Sequence, residues 1–140
     1  MPITIDGVSH VRLTVRDIAT SRAFYDGVFG WDVAFELPDD ADEATREKLW
    51  FLFGGVIYSI PGGLLGLHPV APGDDAFSED RVGLDHLSFT VPDRGELDAA
   101  TELLDSLGVA HGGVKDAGGM HILEFRDPDG IALELSAPSA

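Results

Sequence analysis

Two segments 76 positions apart constrain this chain more than any other feature. His10-Val-Arg-Leu-Thr-Val-Arg-Asp17 and His86-Leu-Ser-Phe-Thr-Val-Pro-Asp93 share His, Thr, Val and Asp at matching places and are apolar together at two more. A repeat of this length implies two copies of one supersecondary unit. Both segments alternate apolar and other residues, so both read as strands. Each ends in an aspartate suited to cap a helix. Helices are expected near Ile18–Phe29 and Gly95–Leu107, and in the second Leu97, Ala100, Leu104 and Leu107 share one face. Gly30 and Gly108 then stand where a helix C-cap glycine belongs.

Further strands are expected near Trp31–Leu37, Trp50–Ile60 and Leu64–Val70, and near Val109–Val114, His121–Arg126 and Ile131–Ser136. Gly62-Gly63 and Arg126-Asp-Pro-Asp-Gly130 are hairpin signals. Each half thus reads β-α-β-β-β. The expected fold is α+β, one domain over residues 1–140: a first module over about 6–70, a linker over about 71–81 and a second module over about 82–137. Residues 38–48 form an acidic insertion, a short helix or a flap. A helix covers one face of each sheet, and the other faces are expected to form a curved mixed-sheet cup.

Side chains alternate along a strand, which sorts the polar residues by face. Val11, Leu13 and Val15 meet the first helix, and His10, Arg12 and Thr14 point the other way. Leu87, Phe89 and Val91 meet the second helix, opposite His86, Ser88 and Thr90. Ile131, Leu133 and Leu135 oppose Ala132, Glu134 and Ser136. His10, His86 and Glu134 therefore share the non-helix side, with the histidines in register with the repeat. Two imidazoles and a carboxylate are a common three-ligand set that leaves positions open for water or substrate. Singly, each has a bland alternative: a hydrogen-bonded strand histidine or a solvated glutamate.

Other residues stay open between roles. His68 is a fourth ligand, a substrate contact or a structural group. Arg12 is a pocket group or the partner of a nearby acid, and Tyr58 a pocket group or a packed strand aromatic. His121 is structural or a pocket wall, and His111, beside a glycine pair, is expected to be exposed. Glu134 is a pure ligand or moves a proton as a catalytic group.

Composition narrows the chemistry. With 44% apolar and 24% charged residues, the chain has globular values. It has no cysteine, so any metal site must use imidazole or carboxylate. Nine basic against 25 acidic residues give a net charge of −16. Such a surface repels nucleic acid and anionic membranes and attracts cations. No apolar run is long enough for a membrane span and the N-terminus lacks a signal-peptide pattern, so a cytoplasmic location is expected.

The chain resembles the vicinal oxygen chelate superfamily. The resemblance rests on Val8-Ser-His-Val-Arg-Leu-Thr-Val-Arg-Asp17, Phe24-Tyr25 with Phe29-Gly-Trp31, Gly83-Leu-Asp-His-Leu-Ser-Phe-Thr-Val91, and Phe125-Arg-Asp-Pro-Asp-Gly-Ile-Ala-Leu-Glu134. That group includes glyoxalase I, extradiol dioxygenases, fosfomycin-resistance thiol transferases, methylmalonyl-CoA epimerase and bleomycin-resistance proteins. It implies ligands on the first, fifth and eighth strands, which here carry His10, His86 and Glu134. The fourth-strand ligand of glyoxalase I and the epimerase falls on Gly66, which leaves a three-ligand pattern. The resemblance further implies a divalent ion (Fe, Mn, Ni or Zn), a small oxygen-rich substrate, and a homodimer that joins His10 of one chain to His86 and Glu134 of the other. The alternative is a non-catalytic protein that sequesters a cationic drug or metabolite. The charge and the aromatics Trp31, Trp50 and Phe51 motivate that reading.

Overall fold

In the computed structural model, which describes residues 1–139, the chain divides into two compact units, Met1–Gly73 and a second beginning at Asp74. Each unit realises the β-α-β-β-β order.

The first unit runs β1 (His10–Thr14), α1 (Ile18–Val28), β2 (Val33–Phe35), α2 (Glu43–Lys48), a 3₁₀ turn (Trp50–Leu52), β3 (Val56–Ile60) and β4 (Gly63–His68). Its four strands lie in the order β1-β4-β3-β2, with β1 parallel to β4 and the other pairs antiparallel. Asp17 caps α1 by accepting from the Thr20 amide, and Gly30 follows the helix at φ 62°. Leu13, Val15, Tyr25, Val56, Tyr58, Leu65 and Leu67 make the buried core. At the far end of α1, Phe29 stacks on Trp31 with ring centres 4.2 Å apart. Trp31 thus belongs to the aromatic packing around Tyr25 and Tyr58.

The expected strand over Trp50–Ile60 is a correction. Only Val56–Ile60 is strand, and Trp50–Leu52 turns as a 3₁₀ helix. The physical reason lies after the turn. Phe53 takes a left-handed conformation (φ 49°), and a Cβ on Gly55 would lie 1.9 Å from the Leu67 carbonyl oxygen. The chain there presses against β4 and cannot pleat through. The acidic insertion does contain a short helix, α2, capped by Asp42.

The second unit runs β5 (Leu87–Thr90), α3 (Arg94–Ser106), β6 (His111–Ala117), β7 (Met120–Arg126) and β8 (Ala132–Pro138). Its order, β5-β8-β7-β6, repeats that of the first unit, again with one parallel pair, β5 with β8. Asp93 caps α3 through the Glu96 amide. Leu97 and Leu104 of α3 are buried, as are Leu123, Phe125, Leu133 and Leu135 of the sheet. The turn between β7 and β8 is locked from within: the buried Asp127 carboxylate accepts from the amides of Asp129 and Ile131, both at 2.9 Å.

Candidate functional site

Glu134 stands in β8 between the buried Leu133 and Leu135. Glu134 is itself only 9% exposed. Strand register explains its burial. Ser88 of β5 sits beside Glu134 on one flank and Glu124 of β7 on the other. The Ser88 hydroxyl donates to Glu134 Oε1 at 2.8 Å, and the Ser136 hydroxyl donates to the same oxygen at 2.9 Å. The two serine oxygens are themselves 2.7 Å apart. Three short contacts share two hydroxyl protons, so one contact carries none. The triangle has room for one more proton.

Oε2 is left to face His86. The His86 Nε2 atom lies 3.8 Å from it, too far for a hydrogen bond, so nitrogen and oxygen face a shared space. The other ring nitrogen, Nδ1, is held by Asp85 Oδ1 at 2.6 Å. That contact favours a proton on Nδ1 and leaves the Nε2 lone pair outward, the arrangement of a ligating histidine with a carboxylate behind it. The Asp85 hydrogen bond is also the main reason His86 is more basic than usual; the Glu134, Asp85 and Glu124 charges add to it and burial opposes it. Around the pair lies a cavity of about 560 Å³, lined by Glu79, Asp85, Glu124, Arg126 and His111 among others. Arg126 is committed to Glu79 through two hydrogen bonds, which lowers the Glu79 pKa to about 2.

His10 lies in the first unit, its Nδ1 2.9 Å from the Ser9 hydroxyl. It borders an apolar cavity of about 230 Å³ walled by Phe35, Phe51, Ile57 and Leu64, with Arg12 and Gly66. The register makes this row the counterpart of the glutamate row. Arg12 pairs with Gly66, as Ser88 pairs with Glu134. Where the second unit has a carboxylate, the first has no side chain, and the stem of Arg12 crosses the gap: a Cβ on Gly66 would lie 3.0 Å from Arg12 Cγ.

Among the described residues, no three His, Asp or Glu side chains are gathered tightly enough to hold an ion. His86 and Glu134 are brought together within one unit. The donor chemistry of that pair suits a divalent ion of the imidazole–carboxylate class: one free imidazole nitrogen, one free carboxylate oxygen, each fixed from behind.

The remaining expected site residues fall elsewhere. Tyr58 is fully buried and donates from its hydroxyl to Asp26 of α1 at 2.9 Å. Burial and that bond raise its pKa strongly. It is a packed strand aromatic, one of the two roles left open for it. Arg12 lines the cavity, and its guanidinium donates to the Leu52 carbonyl at 3.0 Å, so the acid partner expected for it is replaced by a main-chain oxygen. His68 is not a wall of that cavity; its ring packs edge-on against Phe53, 5.2 Å between centres, and burial, with the Arg12 charge, lowers its pKa. His121 pairs with Asp116 across the β6–β7 hairpin and lines neither cavity. His111, expected to be exposed, is only half-buried and pairs with Asp105 at 2.8 Å. Asp85, Ser88 and Ser136, which hold the other polar atoms of His86 and Glu134, were not among the expected site residues. Their positions, directly before His86 and two residues from His86 and Glu134 on the same strand faces, were the available signal.

The sequence match agrees with this architecture. The family model of the glyoxalase/bleomycin resistance protein/dioxygenase superfamily matches residues 7–135. The chain belongs to that superfamily. Among solved structures, a glyoxylase/bleomycin resistance protein/dioxygenase domain from Frankia sp. EAN1pec is 35% identical, with a TM-score of 0.75 over 96% of this chain and 93% of that one. The fosfomycin resistance protein FosX of Listeria monocytogenes superposes with a TM-score of 0.72 at 23% identity over 96% and 94% of the two chains. That protein was crystallised, in a mutant form, with Mn(II) and 1S,2S-dihydroxypropylphosphonic acid; at this identity the likeness speaks for the fold alone. The uncharacterised protein YaeR of Escherichia coli (strain K12) is 29% identical over 91% of this chain and 93% of its own length. The α+β architecture of curved sheets is thus that of the superfamily. Among the described residues, no helix is long and apolar enough to cross a membrane.

Proposed function

We propose that the chain is a divalent-metal enzyme acting on a small, oxygen-rich, chelating substrate, with His86 and Glu134 as two ligands and His10 as the third. The observation that carries this reading is the prepared pair on the second unit. His86 Nε2 and Glu134 Oε2 are both unengaged by hydrogen bonds and face each other at 3.8 Å, while Asp85, Ser88 and Ser136 hold their other polar atoms. Such backing raises ligand basicity and fixes orientation.

Because no third ligand joins the pair among the described residues, we take the site to be completed by His10 of a second copy in a homodimer. The bound ion would supply Lewis acidity toward a chelated substrate oxygen. Glu134 would be one of the ligands, and the Ser88 and Ser136 hydroxyls that hold its Oε1 would turn with that oxygen if it moved a proton. His86, held by Asp85, keeps its lone pair directed outward. Lyase, dioxygenase and thiol-transferase reactions all place developing charge on such an oxygen. We further propose a cytoplasmic protein without nucleic-acid or membrane partners.

One observation favours a second reading, sequestration of a cationic molecule without turnover: the cavity beside His86 is lined by Glu79, Asp85, Glu124 and Glu134. Metal analysis separates the two. Protein purified without a histidine tag is expected to hold about one transition metal per chain, and His86→Ala to hold none. Full occupancy in the variant would sink the metal assignment.

A further inference from the structure

We propose that Arg126 holds a carboxylate of the substrate, and that Glu79 occupies its guanidinium as an internal stand-in until that carboxylate arrives. This deepens the metal reading, on which it rests for the other end of the substrate: it adds a carboxylate remote from the oxygens offered to His86 and Glu134. The exchange at Arg126 itself involves no metal and can be tested without one.

The first observation is position. Arg126 ends β7 on the same face as Glu124, and the Phe125 between them is buried. It pairs with Ala132 of β8, two residues before Glu134. Two residues of strand span roughly 7 Å. A group on Arg126 and a group at Glu134 can therefore belong to one small molecule. Arg126, Ala132 and Glu134 all line the cavity of about 560 Å³, and Ala132 adds only a methyl to that wall.

The second observation is charge. Arg126 is the one arginine or lysine on the cavity wall, against Glu79, Asp85, Glu124 and Glu134. A chain with nine basic and 25 acidic residues places one of its few cations there. The third is how the guanidinium is held. Its Nη1 donates to the Gly130 carbonyl at 2.9 Å, in the turn that Asp127 locks, so it keeps its place when Glu79 leaves. Nη1 and Nη2 also donate to the two Glu79 oxygens at 3.1 and 2.6 Å, the two-pronged pose a guanidinium offers any carboxylate. Glu79 comes from residues 74–86, which form neither helix nor strand. The two side chains are 48% and 37% exposed. An exposed ion pair is worth at most about a fivefold factor. An incoming carboxylate thus displaces Glu79 at small cost and leaves the charge on Arg126 balanced.

Glutarate is the probe for the intact chain without metal, with sodium chloride at matched ionic strength as the blank. In NMR, the Arg126 Nε–H and the Glu79 carboxyl carbon should shift together and saturate with glutarate, and chloride should move neither. Glu79→Gln removes the competing carboxylate and keeps its size, so it should tighten glutarate about fivefold. A purely structural ion pair predicts no such gain. Arg126→Lys, which keeps the charge and loses the fork, should weaken glutarate about tenfold. On metal-loaded protein, 2-hydroxyglutarate should bind about tenfold more tightly than 2-hydroxyvalerate, which has the same chelating end and a methyl in place of the second carboxylate. No saturable shift at Arg126 in the wild type, no gain in Glu79→Gln, or equal affinity of loaded protein for the two hydroxy acids would each overturn the proposal. The first of these is read on wild-type protein, so a variant that fails to fold does not obscure it. If glutarate displaces Glu79 as expected and no metal is taken up, the metal reading fails and the carboxylate site stands.

Discussion

Removing the two serine hydroxyls that hold Glu134 should weaken metal binding without touching a ligand. Ser88 and Ser136 donate to Oε1 at 2.8 and 2.9 Å, on a carboxylate only 9% exposed. Hydrogen bonds to a charged acceptor contribute about 1.5–3 kcal/mol each, and residues that back a metal ligand typically account for about 10–100-fold in affinity. Either alanine substitution alone leaves the other hydroxyl in place, so we expect a rise in Kd of about tenfold for each. The double variant, Ser88→Ala with Ser136→Ala, should reach about 100-fold. The thermal consequence can be worked through. At a metal concentration of 100 Kd, the wild-type chain gains ~2.7 kcal/mol of stability; at the same concentration a 100-fold weaker site gains ~0.4 kcal/mol. Calorimetric titration with Mn(II) or Zn(II) gives the affinities, and melting with and without metal gives the linked gain. Ser88→Thr, which retains a hydroxyl, should restore most of the affinity. A double variant that folds and keeps wild-type affinity would refute the claim that the serines aim Glu134 at an ion.

Two further outcomes follow from single contacts. Asp127→Ala strips the partner from two buried amides in the β7–β8 turn, and should cost about 2–4 kcal/mol in denaturant unfolding; a loss below ~0.5 kcal/mol would mean that the turn does not depend on its aspartate. Glu79, whose pKa falls from 4.5 to about 2 because Arg126 bonds it, contributes stability that is present above its unfolded pKa and lost as pH falls from about 4.5 toward 2. Glu79→Gln should flatten the melting temperature over that window, and an unchanged slope would refute the pairing in solution.

Much of the architecture was legible because local and periodic signals agree. Asp17 and Asp93 cap the helices that follow them, and Gly30 and Gly108 end those helices with positive φ. What failed depended on non-local contacts. Trp50-Phe-Leu-Phe53 has the aromatic content of a strand, yet Gly55 is pressed against the Leu67 carbonyl and the chain turns before it. Tyr58 offered a hydroxyl to either face, and only its burial and its bond to Asp26 of α1 assign it to the core. The serines around Glu134 come from strands 46 residues apart in one case and from the same strand in the other, so their convergence needs the parallel β5–β8 pairing to be known. Arg12 over Gly66 is the same case in the first unit: each residue is ordinary in sequence, and the register makes them one feature.

The most direct test of the shared metal site is complementation between two inactive chains. His10→Ala and His86→Ala are purified separately, shown to lack bound metal, and mixed under conditions that allow subunits to exchange. If each site joins His10 of one chain to His86 and Glu134 of the other, every mixed dimer regains one intact site. Statistical re-pairing then restores about a quarter of wild-type metal occupancy. No recovery after verified exchange, or full metal content in either variant alone, would contradict a site assembled from His10, His86 and Glu134 across two chains.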